Sequence, residues 1–269
     1  MAKGAEPVLR CRDAGVAVQS LAALFGVAPD RFAHALPEAA AVVEADPEAE
    51  LVRAIVPALT ANLGRPPDTP GRIHFFHGTR AFEPHLFAQR GLLPLWAVLD
   101  DLWNRMHGLA PEIPAEAFIA LREGLEGGRI EAPTYKHRFD TYDDGPNGVL
   151  VRDVLVNPNV YHSSEFIRIP EIVEDICVAA RNELRVDLEP RFEHATTPCI
   201  VEFSTHPREV HQALTAACWY AEAALRGTTA AGGDAFWNFD GDGVAVPAED
   251  IVFVDVAVPR LTATCVISP

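Results

Sequence analysis

The residues best placed to do chemistry stand together in Arg72-Ile73-His74-Phe75-Phe76-His77-Gly78-Thr79-Arg80. An imidazole and a hydroxyl flank a glycine here. Both side chains can hydrogen-bond a ligand, and a residue without Cβ lets a ligand approach the main chain. The same three residues also suit a buried histidine at a strand end followed by an ordinary glycine turn. Other groupings read more simply. Asp240-Gly241-Asp242-Gly243 begins like a calcium loop, but Val244 and Ile251 stand where that loop needs oxygen ligands, so a tight turn is expected. His206 and His211, beside Glu202 and Glu209, form no His-Glu-x-x-His pattern and read as solvated helix histidines. Glu171, Glu174 and Asp175 read as first-turn acids on an exposed helix face. Ser204-Thr205 ahead of Pro207 reads as a helix N-cap. No phosphate-binding P-loop, dinucleotide Gly-x-Gly-x-x-Gly or Gly-x-Ser-x-Gly occurs, and Ser163-Ser164 beside His162 lacks the glycines of a nucleophile elbow.

The run Ile73 to Arg80, with Gly91-Leu92-Leu93-Pro94 downstream, resembles the first core strand of the ADP-ribosyltransferase superfamily. The branch it resembles has a triad of His, Tyr and an acidic or variable third residue. The resemblance implies an α+β fold with a split antiparallel β core, and NAD as substrate. It implies that His77 and Thr79 hold the adenosine ribose while the Gly78 main chain meets the nicotinamide carboxamide. A tyrosine would stack on the nicotinamide ring, whose flat cationic face suits an aromatic partner. Tyr161 in Asn159-Val160-Tyr161-His162 is that choice, with Tyr135 and Tyr142 as rivals. An acid would stabilise the cation that develops as nicotinamide leaves. Asp240 is that choice, with Asp242, Glu249 and Glu202 behind it. The Val246-Pro247-Ala248-Glu249-Asp250-Ile251 ending is similar to the tail of several members. The implied activity is cleavage of the nicotinamide glycosidic bond and transfer of ADP-ribose to an acceptor, which would be a protein, a nucleic acid, a small molecule or, by default, water. No glutamate stands at the position expected for the acid, and the Glu-x-Glu pair of the arginine-targeting branch does not appear there. A non-catalytic interaction protein on the same scaffold is therefore the first alternative. An RNA 2′-phosphotransferase-like enzyme and an unrelated α+β hydrolase follow it. The resemblance covers about residues 72 to 258, with a helical insertion; residues 1–70 resemble nothing in that family.

The elements that must position these residues follow from periodicity. Residues 9 to 63 carry apolar side chains at helical spacing, with Pro37 and the acids Glu44, Asp46 and Glu48 dividing them into two or three helices. Gly64-Arg65-Pro66-Pro67-Asp68-Thr69-Pro70-Gly71 cannot continue a helix and marks a boundary. The division expected is a helical region over 1–70 and an ADP-ribosyltransferase-like domain over 71–269. Strands are predicted at 72–77, 148–156, 197–203 and 251–258, and helices at 84–90, 92–106, 115–125, 171–184 and 207–225. Pro170 and the acids after it mark the start of the 171–184 helix. Residues 232–243 read as turns. Strands separated by helices and irregular segments, behind a helical front, indicate α+β.

Composition bounds the function classes. Lys plus Arg number 22 against 38 Asp plus Glu, a net charge of −16. That balance argues against non-specific nucleic-acid binding and against anionic membranes. With 49% hydrophobic residues the 269-residue chain can bury a core without staples. The five cysteines, Cys11, Cys177, Cys199, Cys218 and Cys265, are odd in number and include no Cys-x-x-Cys pair. Structural zinc and a disulfide framework both lose support. A reducing cytoplasm is expected, since the first residues show no apolar signal core and no run approaches a membrane span.

Overall fold

A computed structural model describes residues 6–45, 51–132, 135, 145–157, 165–228 and 237–256. The fold is α+β. A short strand β1 (Val8–Leu9) leads into three helices, α1 (Ala14–Leu24), α2 (Pro29–Glu44) and α3 (Leu51–Leu63). Asp13 caps α1, its Oδ1 accepting from the Val16 N–H at 2.9 Å. β2 (Arg72–Ala81) follows, then α4 (Phe87–Arg90), α5 (Leu95–Gly108) and α6 (Ala115–Glu126). The second half contains β3 (Asn147–Val149), α7 (Asp153–Val156), α8 (Glu165–Arg168), α9 (Glu171–Ala179) and α10 (Glu189–Ala195). It closes with β4 (Thr197–Thr205), α11 (Val210–Leu225), β5 (Asn238–Asp240) and β6 (Ile251–Val256).

The described strands form one sheet in the order β5-β3-β2-β4-β6, antiparallel throughout that path, with β1 added parallel to β2. β2 and β4 pair along nearly their whole lengths, from Ile73↔Thr205 to Ala81↔Thr197. Successive side chains of a strand point to opposite faces. Phe75, His77 and Thr79 therefore share one face with their partners Phe203, Val201 and Cys199. His74, Phe76 and Gly78 share the other with Ser204, Glu202 and Ile200. The first face is covered by the main core, where Phe75, Phe203 and Phe239 meet at ring distances of 5.2 to 6.0 Å. α1, α2, α3 and α11 contribute to the same core, so the helical front and the sheet are buried against each other. A second core joins α5, α6, α9 and α10 around Trp103, Tyr135 and Phe192. Beneath the opposite face, Phe76 and Ile200 pack with Leu155 and Ile167.

Several expectations are corrected. β2 does not end at His77 but runs through Gly78 and Thr79, because β4 supplies a hydrogen-bonding partner along the whole stretch. Pro37 does not break α2; the helix continues to Glu44 around its buried Leu36, Ala39, Ala40 and Val43. The branched run 148–156 is only a three-residue strand followed by the turn of helix α7, which buries Val154 and Leu155. Asn238–Asp240, read as turn, is a strand on the edge of the sheet. The helix at 171–184 is α-helical to Ala179 and π-helical from Ala180 to Leu184. Asp175 is buried, not on an exposed face. Ser204 and Thr205 lie inside β4, and α11 starts after Glu209 with no side-chain cap.

Candidate functional site

β2 carries His77, Gly78 and Thr79 in the centre of the sheet. The His77 ring is half-buried, and its Nδ1 lies 2.6 Å from the Asn147 carbonyl oxygen. A carbonyl can only accept, so Nδ1 carries the proton and Nε2 is left as an acceptor in the neutral ring. Crowding by surrounding atoms pushes the His77 pKa below the ordinary histidine value, against the opposing effect of the Asn147 hydrogen bond. A neutral imidazole with a fixed tautomer is a hydrogen-bond acceptor suited to a ligand hydroxyl.

Gly78 has an observable reason to lack a side chain. A Cβ there would sit 3.0 Å from Leu155 Cδ2 and 3.2 Å from Ile167 Cγ1. The face beneath Gly78 is thus occupied by α7 and α8, and any approach to its main chain must come along the strand edge. That edge opens nearby. The antiparallel register Phe76↔Val149 sets Asn147, the first residue of β3, opposite Gly78. From Thr79 to Ala81, β2 runs past the end of β3, and no described strand pairs with it on that side. Thr79 is half-buried, and among the described residues its hydroxyl reaches only its neighbour's carbonyl, Arg80 O, at 3.5 Å. Arg80 closes the strand by donating to Thr196 Oγ1, Thr196 O and Glu193 O.

Two other fragments of the predicted pattern meet. α4 ends at Gly91, whose φ of +78° is left-handed. A Cβ on Gly91 would come within 2.0 Å of the Val246 carbonyl oxygen. Leu92 and Val246 then exchange main-chain hydrogen bonds of 2.9 Å in both directions. Gly91-Leu92 and Val246-Pro247 are therefore paired in space.

Asp240 is in the right row of the sheet but on the other side of it. Asp240 pairs with Asn147, and Asn147 stands opposite Gly78, so the register places Asp240 on the face of Gly78 rather than that of His77. Its carboxylate is exposed, and Oδ1 accepts from the Asp242 N–H at 2.9 Å in a tight turn. Asp242 is exposed as well, bridged by Arg208. The choice of tyrosine, Tyr161, and its rival Tyr142 lie outside the described residues. Tyr135 is fully buried in the second core, where its hydroxyl accepts from Trp103 Nε1 at 3.2 Å. His206 and His211 are exposed, though His206 lies on the loop after β4 and not in a helix. Among the described residues no group of His, Cys, Asp and Glu is arranged to hold a metal ion, and no helix is long and apolar enough to cross a membrane.

A second polar cluster lies on the opposite face, and its organisation was not foreseen. Glu202, 3% exposed, receives Arg10 Nε at 2.5 Å and Arg10 Nη2 at 2.7 Å on its two oxygens, and His74 Nδ1 at 2.8 Å. Burial raises the Glu202 pKa, but the hydrogen bonds and charges of His74 and Arg10 outweigh it and hold the carboxyl below its ordinary value. Beside it, Arg72 is bound by Ser204 and Asp250. The signal in the sequence was a charge inside the apolar run Ile200-Val201-Glu202-Phe203, which only a paired carboxylate tolerates. Its partners come from β2 and from the residue that follows β1, and carry no local mark.

No family model matches the chain, and no curated protein or solved structure matches it either.

Proposed function

We propose that the chain binds NAD at the open edge of β2 and cleaves its nicotinamide glycosidic bond, passing ADP-ribose to an acceptor, in the manner of an ADP-ribosyltransferase. The observation that carries the reading is His77. Its Nδ1 is held by Asn147, so Nε2 of the neutral ring, which has no partner among the described residues, can accept from a ribose hydroxyl, two residues from Thr79 where the β2 edge opens. Thr79 adds a hydroxyl on the same face. The pairing of Gly91-Leu92 with Val246-Pro247 supports the reading further, because it joins two separate pieces of the pattern to one wall of the fold. Tyr161 is assigned the stacking role.

A second reading, a non-catalytic protein on the same scaffold, is favoured by one observation: the Asp240 carboxylate belongs to the opposite face from His77 and already accepts the Asp242 N–H. The two readings separate in one assay. The chain is incubated with NAD, free nicotinamide is followed by chromatography, and NAD affinity is measured by calorimetry. Nicotinamide release that falls in Asp240→Asn supports transfer with Asp240 as electrostatic stabiliser. NAD binding without release supports the scaffold. His77→Ala is expected to weaken NAD about tenfold, the effect of one lost hydrogen bond in a half-buried site. Unchanged affinity in His77→Ala overturns both.

A further inference from the structure

Val8, Arg10, His74 and three residues of α1, namely Val16, Gln19 and Ser20, line an open surface cleft of about 370 Å³. We propose that this cleft is a binding site for a phosphate-bearing ligand, held by Arg10 and His74.

The argument starts from what Glu202 leaves over. Its two oxygens engage Arg10 through Nε and Nη2, so the Nη1 of Arg10 has no partner among the described residues. A carboxylate can only accept, so the His74 nitrogen beside it, Nδ1, carries a proton, and Nε2 has no partner among the described residues. Both side chains line the cleft, Arg10 being 30% exposed and His74 12%. Glu202 acts as a buried counter-anchor that fixes two donors in place, the kind of preorganised arrangement that lowers the ordering cost of binding.

The charge balance favours an anion. Among the described residues no acidic side chain lines the cleft. A second guanidinium, Arg12, comes within 4.0 Å of the same Glu202 and stands over the Phe253 ring at 5.0 Å. Two arginines and a histidine thus face one carboxylate, in a chain whose net charge is −16. Val8 and Val16 supply apolar wall, and the exposed Gln19 amide supplies a further donor at the rim.

Phosphate suits these donors better than a carboxylate. A guanidinium presents a planar pair of N–H groups that matches phosphate oxygens. In its monohydrogen form phosphate can also donate to a bare Nε2 or accept from a protonated one, whereas a carboxylate can only accept. The cleft is on the face of the sheet opposite to His77 and is independent of the NAD reading.

The test is calorimetric titration of the full chain with inorganic phosphate, alongside acetate at matched ionic strength. Phosphate is expected to bind saturably at one site and acetate not to. His74→Gln keeps an N–H for Glu202 but removes Nε2, and is expected to weaken phosphate about tenfold. Gln19→Leu changes only an exposed rim position and is expected to weaken it severalfold. Absence of saturable phosphate binding, equal binding of acetate, or unchanged affinity in folded His74→Gln overturns the proposal. Should His74→Gln fail to fold, unchanged affinity in Gln19→Leu overturns it instead.

Discussion

Leu92 and Val246 exchange both main-chain hydrogen bonds, 2.9 Å each way, and Gly91 lies flush against the Val246 carbonyl. The chain can make this join only because residue 91 lacks a Cβ and tolerates a φ of +78°. Gly91→Ala is therefore expected to cost about 2–4 kcal/mol, combining left-handed strain with displacement of the 246–247 backbone. Urea denaturation checks it, and a loss under 1 kcal/mol would show that the join is plastic.

Arg10 and Glu202 are the second pair on which the fold depends. Arg10→Ala leaves a nearly inaccessible carboxylate with, among the described residues, His74 and the more distant Arg12. Breaking a buried pair from one side costs about 3–5 kcal/mol. Glu202→Gln, which keeps an acceptor and removes the charge, is expected to cost less. A double-mutant cycle on denaturation free energies gives the coupling.

The depressed His77 pKa has a definite sign in stability. In the unfolded chain a histidine takes up its proton near pH 6.5, while the folded ring resists it. The stability His77 contributes is complete above pH about 6.5 and is lost as pH falls through the folded value. Thermal melts between pH 5 and 7.5 should therefore fall less steeply in His77→Gln than in the unmodified chain. Parallel curves would mean that the ring titrates as it does in water.

Cys11, Cys177, Cys199 and Cys218 are all buried. Burial raises each thiol, to about 12 for Cys177 and Cys199, with neighbouring carboxylates adding to the effect at Cys177. In a Cys265→Ser chain, native thiols are expected to react with a disulfide reagent only as fast as the protein opens. A rapid phase under native conditions would contradict that packing.

Tyr135 is a structural tyrosine. Tyr135→Phe removes the acceptor for Trp103 Nε1 and is expected to cost about 1 kcal/mol. NAD affinity should be unchanged, and a marked fall would move the aromatic partner of nicotinamide from Tyr161 to Tyr135.

Local sequence determined much of this protein. Helical spacing and Pro170 set α9, the apolar run before His77 set the start of β2, and the apolar run from Thr197 to Phe203 set β4. These signals are local, because 3.6- and 2-residue periods are written in neighbouring side chains. Tertiary structure alone decided the rest. Two- and three-residue strands such as β1, β3 and β5 are too short to show a period and exist only because β2 offers an edge to β1 and β3, and β3 offers one to β5. β2 itself passes through Gly78 because β4 pairs with it there. The register of β3 and β5 put Asp240 on the opposite face from His77, since a one-residue step in a strand reverses the side on which a residue lies. Arg10 just after β1, His74 on β2 and Glu202 on β4 come together from distant parts of the chain, and no spacing along the sequence encodes a contact made across a sheet.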